Sequence, residues 1–283
     1  MTIAITGGTS GIGFETALQL AGAGHRILIL ARDERRGREA CETIGRSGAT
    51  PEFFPVELSS MTSIRQAAAH IAAAYPLLDV LINNAGAWYT DFGLTEDGVE
   101  RGFAINHLAP FLLSHLLLPT LAASGQGRII NLSSNMHFVG KMQFDDLNLS
   151  RNYHAARSYA QSKLANVLFT YELDRRLKQN NIPVSTHAVH PGLVRTGIGI
   201  KHAGGFDRLA WRLWSIAGIS PASGAKTSVF LATQEEGVLK SGLYWNKCRP
   251  MTSSRLSRNA DDARRLWETS ERLCDIENYF AIG

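Results

Sequence analysis

Residues 2–24, TIAITGGTSGIGFETALQLAGAG, carry the reading that decides the fold. The short apolar, β-branched run at 2–6 predicts a strand, and the apolar periodicity over 11–23 predicts a helix. Between them lies Thr6-Gly7-Gly8-Thr9-Ser10-Gly11-Ile12-Gly13. Gly7 suits the tight turn, Gly11 lets backbone N–H groups approach a pyrophosphate at the helix start, and Gly13 lets helix and strand pack closely. Thr9, Ser10 and Ile12 share that turn and join the three glycines as candidate dinucleotide-binding residues. The spacing is G-x-x-x-G-x-G, not the G-x-G-x-x-G of the commoner fingerprint. A close strand–helix crossing without any ligand is the alternative.

The same alternation runs on through the chain. Strands are predicted near 26–31, 51–57, 79–83, 128–133 and 184–190, with a weaker one at 242–246. Helical patterns cover 33–46, 61–74, 97–122, 155–181 and about 221–234. Apolar strands alternating with helices predict an α/β fold: a doubly wound, Rossmann-type parallel sheet with helices on both faces. No repeat or linker divides residues 1–283, so a single domain is expected. Two long irregular stretches, 135–155 and 192–220, would leave from the carboxyl ends of strands, where ligands bind in such sheets.

Bulk properties exclude several classes. The net charge of +4, from 29 basic and 25 acidic residues, is too mild and too scattered for a nucleic-acid partner. Cys41, Cys248 and Cys274 show no metal or redox spacing, which predicts reduced thiols, a cytoplasmic protein and no bound metal. Nothing before TIAIT looks like a signal peptide. The most apolar window, 104–123, is broken by Asn106, His107, Pro110, His115 and Pro119, which fits a buried helix and no integral membrane segment.

The second strand ends Leu30-Ala31-Arg32. An acid near this point grips the ribose of NAD, whereas Arg32 suits the 2′-phosphate of NADP. NADP (NADPH) is therefore expected over NAD, unless Arg32 merely pairs with the adjacent Asp33. Further on, SYAQSK (158–163) sets Tyr159 and Lys163 four residues apart on one helical face. Taken alone, such a pair is an ordinary surface contact.

Gly7–Gly13, Asn83-Asn84-Ala85-Gly86, Asn106, Ser134 and Tyr159-x-x-x-Lys163 occur in this order. Together they resemble the short-chain dehydrogenases/reductases over essentially the whole chain. LAR, NHLAPFLL, FDDLNL, YAQSKLANVLFTYELDRRL and HPGLVRT look like the retinol dehydrogenase-like branch. The resemblance implies a nicotinamide-dependent enzyme acting on a carbonyl or alcohol substrate. In it Tyr159 is the general acid in reduction and the general base in oxidation. A Lys163 ammonium about 5 Å away would favour the phenolate by roughly 3 kcal/mol at an effective dielectric near 20, or about two pKa units. Lys163 would also bind the nicotinamide ribose. Ser134, rather than Ser133, would orient the carbonyl. Asn106 would hold a water that links Lys163 to solvent. Asn83, Ala85 and Gly86 would line the adenosine side, with Asn83 sharing in pinning the sheet. Glu57 and Leu58 would approach the adenine. Pro191, Gly192, Val194 and Thr196 would contact the nicotinamide. Membrane-bound members carry an N-terminal anchor, and no such run precedes TIAIT. A catalytically silent NADP-binding sensor or scaffold is the alternative function.

Within 192–220, Phe206, Leu209, Ala210, Leu213 and Ala217 follow helical spacing beside Arg208, Arg212 and Ser215. This predicts a lid over a bulky, largely apolar substrate; a helix lying on anionic lipid, or one packed on the core, are the other readings. His137, Phe138, His154 and His190 could reach the pocket, and none is assigned a catalytic role. Family members pair through the helices that here are 97–122 and 155–181. The 25 positions separating Ser134 from Tyr159 hold extra residues around 141–154. These could cover the pairing surface, giving the expected monomer, or fold over the site and leave a homodimer intact.

Overall fold

Alternation along the inner strands sends successive side chains into two separate apolar layers. The structure is a computed structural model that describes residues 1–194, 218–235 and 239–281. β1 (Thr2–Thr6) pairs in parallel with β2 (Arg26–Ala31) and with β4 (Val80–Asn83). β3 (Glu52–Pro55), β5 (Gly127–Leu132), β6 (Val184–Val189), β7 (Leu243–Asn246) and β8 (Arg249–Met251) complete a sheet of order β3-β2-β1-β4-β5-β6-β7-β8. Ile3, Ile5, Ile27, Ile29, Ile82 and Ile130 enter the layer under α1 (Gly11–Gly22), α2 (Glu34–Gly45) and a later helix, Pro221–Thr233. Ala4, Leu28, Leu30, Leu81 and Ile129 enter the opposite layer, with α3 (Met61–Ala74) and the helices described next. This is the predicted Rossmann-type α/β fold, with β1–β7 parallel and only β8 antiparallel.

The expected helix over 97–122 is instead a broken run. It comprises α4 (Arg101–Phe103), a wide π-helical turn at Ala104–Leu108, α5 (Ala109–Leu116) and α6 (Leu118–Ala123). Pro110 explains the wide turn, since it has no N–H to donate to the carbonyl of Asn106 four residues earlier. Residues 155–181 fold as predicted into α7 (Ala155–Gln179). Pro221–Thr233 becomes α8, and Ala260–Leu273 forms α9.

α9 lies against α7, and Trp267 on it is 1% exposed. Its indole meets Phe111 of α5 at 5.1 Å and Phe169 of α7 at 6.0 Å between ring centres, with Tyr279 at 4.5 Å. The 141–154 segment packs on the same core through Met142, Phe144 and Leu147. Gln161 of α7 holds it by accepting from the Gln143 N–H at 2.9 Å and donating to the Leu147 carbonyl at 2.8 Å. The predicted helix at 206–217 lies outside the described residues. No helix among the described residues is long and apolar enough to cross a membrane.

Candidate active site

The glycine turn is built by close approach. Gly7 takes φ +70°, and a Cβ there would lie 3.1 Å from Cα of Ala85. A Cβ on Gly13 would lie 2.3 Å from Asn84 Nδ2 and 2.4 Å from the Gly7 carbonyl oxygen. Asn84 donates to the Thr6 carbonyl at 2.9 Å, and the Ala85 N–H donates to Thr6 Oγ1 at 3.0 Å. The Asn-Asn-Ala-Gly segment leaving β4 is thus latched to the turn leaving β1. Asn84 carries that latch and was not among the predicted site residues, although its place in the motif marked it. Asn83, by contrast, points into the sheet: it is 2% exposed and donates to Ser114 Oγ at 3.1 Å and Asn131 Oδ1 at 2.8 Å. It pins strands and does not line a groove.

Ser10 is the N-cap of α1, but its side chain makes no capping bond, and the first turn holds no acid. The first-turn N–H groups, beside Thr9, Gly11 and Ile12, therefore suit an anion such as a pyrophosphate. Arg32 stands at the end of β2 with its side chain 75% exposed, 3.2 Å from the Glu57 carboxylate. Its partner is thus Glu57 and not Asp33, whose carboxylate accepts from the Arg36 N–H at 3.0 Å and caps α2. Burial pushes the Glu57 carboxyl up, but hydrogen bonds from Ser59 and the Arg32 charge outweigh it and leave the group below its ordinary range. Leu58 packs toward the core. At the end of β6, Pro191 and Gly192 lead into Val194, which bridges to Ile219 and packs against the start of α8 near Ile12. Gly86 follows Ala85 in the same cleft wall, half-buried. Thr196 lies outside the described residues.

The two serines ending β5 are told apart by geometry. Ser133 is buried and donates its hydroxyl to the Lys163 backbone carbonyl at 2.8 Å. Ser134 is half-buried; its Oγ accepts from the Met136 N–H at 3.2 Å and stands close enough to the Tyr159 phenol to favour its ionised form slightly. Lys163 is 3% exposed; its ammonium donates to the Leu132 carbonyl at 3.0 Å and lies 5.5 Å from the Tyr159 ring centre. Trp88, just beyond the Asn-Asn-Ala-Gly segment, packs its ring 5.0 Å from that of Tyr159. It forms a wall of the site that sequence reasoning did not single out.

The surroundings of Asn106 and of the phenol refine the expectations for them. The Asn106 side chain is fully engaged: Oδ1 accepts from the Ala87 N–H at 2.7 Å, and Nδ2 donates to the Ala87 carbonyl at 2.9 Å and Ser162 Oγ at 3.0 Å. The phenol stands above its ordinary range, against the lowering expected from Lys163. Burial pushes Tyr159 up to about 12, against a smaller lowering from Ser134, and burial pushes Lys163 down to about 8. Desolvation dominates at both groups, and the ammonium is directed to the Leu132 carbonyl. The site therefore offers a neutral phenol at neutral pH, able to give a proton to an oxygen held beside Ser134. Among the described residues, no cluster of His, Cys, Asp or Glu could hold a metal.

A sequence profile described as short chain dehydrogenase matches residues 1–203. The chain is 40% identical to retinol dehydrogenase 12 of Mus musculus, over 97% of this chain and 86% of that protein. It is likewise 40% identical to retinol dehydrogenase 13 of Homo sapiens, over 98% and 85%. An uncharacterized protein from Mycobacterium Paratuberculosis has a similar crystal structure, with TM-score 0.80 and 33% identity over 98% of this chain and 94% of that one. A metagenomic short-chain oxidoreductase in complex with NADP gives TM-score 0.64 and 26% identity over 85% and 94%.

Burying the Lys163 ammonium costs stability. Its folded-state pKa lies below the ordinary 10.5, so the unfolded chain binds the extra proton between about pH 8 and 10.5, and this group makes stability rise with pH across that window. Lys163→Met should raise unfolding free energy at pH 7 by up to about 3 kcal/mol. Asn166 still donates to the Leu132 carbonyl at 3.1 Å. The gain should shrink to nothing by about pH 10.5, as measured by denaturant unfolding at several pH values.

Proposed function

Since the chain belongs to the short-chain dehydrogenase family, in its retinol dehydrogenase-like branch, we propose that it is an NADP(H)-dependent oxidoreductase. It interconverts the carbonyl and alcohol forms of a bulky, largely apolar substrate. The observation that carries this reading is the meeting of Ser134, Tyr159 and Lys163 where β5 and α7 come together at the carboxyl end of the sheet. Arg32, exposed beside the glycine turn, supports a 2′-phosphate and hence NADP. The aromatic wall of Trp88 supports an apolar substrate.

When bound, the cofactor supplies or accepts the hydride. Ser134 orients the substrate oxygen by hydrogen bonding. In reduction Tyr159 gives that oxygen its proton as the carbon receives hydride; in oxidation the same phenolate takes the proton back. Lys163 binds the ribose hydroxyls and stabilises the phenolate while it lasts. Asn106, held in place by Ala87 and Ser162, keeps the water through which the proton is restored.

We also assign a monomer. The faces of α5 and α7 that would pair are covered by Trp267 of the chain's own α9 and by Tyr279 beyond it. A buried aromatic cluster of this kind leaves little apolar face for an isologous interface. Static light scattering at micromolar concentration should give the mass of one chain, and a stable dimer or tetramer would overturn the assignment.

Tyr159→Phe should keep the fold and NADPH affinity and lose turnover by about 10²- to 10⁴-fold. NADPH consumption with a panel of apolar aldehydes and ketones, beside binding by cofactor fluorescence, checks this. A wild-type protein that binds NADPH but reduces none of them would instead favour the silent sensor. For the cofactor, Arg32→Ala is cleaner than an acid, which would set a second carboxylate near Glu57. It should raise KM for NADPH about tenfold and leave that for NADH unchanged; a wild type that already prefers NADH would show the assignment wrong.

A further inference from the structure

His137 sits three residues past Ser134 and is fully buried. Both ring nitrogens have partners. Nδ1 lies 2.7 Å from the Ser134 carbonyl oxygen, so it carries the hydrogen and donates there. Nε2 is then an acceptor, and it takes the Ser254 backbone N–H at 3.1 Å. Neither contact leaves a choice of tautomer, and burial keeps the ring neutral. The ring is wedged between Phe138 at 4.1 Å and Tyr244 at 4.8 Å. With no exposed surface and no free nitrogen, it is not placed to touch substrate.

The Ser254 end of this contact is itself fixed. Ser257 Oγ donates to the Ser254 carbonyl and accepts from Ser253 Oγ, each at 2.8 Å. Ser253 Oγ is 2.7 Å from the Tyr171 hydroxyl, on the same helix α7 that carries Tyr159 and Lys163. A continuous polar bridge therefore joins the loop bearing Ser134 to the helix bearing Tyr159 by way of the segment after β8. The Ser134 backbone takes two hydrogen bonds from His137, the second from its N–H at 3.0 Å.

We propose that His137 is a positioning residue for Ser134: its imidazole ties the Ser134 carbonyl to Ser254 and so sets where the Ser134 hydroxyl stands relative to the Tyr159 phenol. The proposal rests on the oxidoreductase reading above for its kinetic consequence. Two substitutions separate the two ends of the ring. Asn at 137 keeps an amide donor near the place of Nδ1 and loses the acceptor for Ser254. Gln keeps an amide oxygen near the place of Nε2 and loses the donor to Ser134.

With NADPH and an apolar aldehyde, His137→Gln should lose about 10- to 100-fold in kcat with KM for NADPH unchanged, and His137→Asn, which keeps the donor to Ser134 but not its Ser254 anchor, should lose about three- to tenfold. A second readout needs no turnover. In protein labelled with ¹³C at the tyrosine ζ carbon, the Tyr159 resonance is identified by its loss in Tyr159→Phe and reports the proximity of the Ser134 hydroxyl to the phenol. It should move in His137→Gln in the direction seen in Ser134→Ala, and move less in the same direction in His137→Asn. Equal kinetic losses in both variants that track a fall in melting temperature, or an unmoved resonance in folded His137→Gln, would overturn the proposal. A wild type without turnover would refute the oxidoreductase reading, while the resonance pattern would still decide the role of His137.

Discussion

A lysine ammonium buried at the end of β5 constrains everything around it. Lys163 can hold its charge there only by donating to the Leu132 carbonyl, which Asn166 also engages from the next turn of α7. Ser133 returns a hydrogen bond from the strand to the Lys163 backbone. Strand and helix are thereby locked at one register, and that register brings Tyr159 to Ser134. Shifting α7 by one residue would strand the ammonium without an acceptor, a larger penalty than any single apolar contact in the layer. The stability spent on this charge is recovered in the two apolar layers, where most side chains are fully buried.

The parts of the fold governed by local period were legible. β1, β2 and α3 fall where alternation and helical spacing placed them, because both layers are apolar and each strand is short and bounded by turns. The parts governed by single backbone atoms were not. The break at Ala104–Leu108 follows from one missing N–H at Pro110, inside a run whose side chains all suit a helix. β8 is three exposed residues, Arg249–Met251, holding a proline at the sheet edge. Its hairpin turns through Lys247 and Cys248 at φ +49° and +57°, without the Asn-Gly or Asp-Gly that announces such turns.

In the site, residues whose chemistry is intrinsic were legible, and those that act by contact were not. Tyr159 and Lys163 announce themselves by type and spacing. Choosing Ser134 over Ser133 needed the resemblance, and the structure supplies the reason: one hydroxyl is used up inside the sheet. Asn83 and Asn84 are neighbours of the same type, yet the first turns into the sheet and the second out to the glycine turn, as alternation along β4 requires. Arg32 finds its acid 25 positions away, at Glu57, because β2 and β3 lie side by side. Only the parallel pairing of those strands makes the two neighbours.

The segment after residue 203, beyond the stretch that matches the family profile, has a part in the site as well as in the core. Its helix α9 covers the faces of α5 and α7 with Trp267, while the serines at 253, 254 and 257 reach the other side of α7 and the Ser134 loop. Both sets of contacts grip the same helix, one near Phe169 and one at Tyr171. A displacement of α9 would therefore pull on α7 close to the bridge that fixes Ser134. The chain's tail thus closes a surface and steadies the distance between proton donor and orienting hydroxyl through a single rigid element. Interactions of this kind are fixed by packing of already-formed helices and strands, which is why they leave so little trace in any local stretch of sequence.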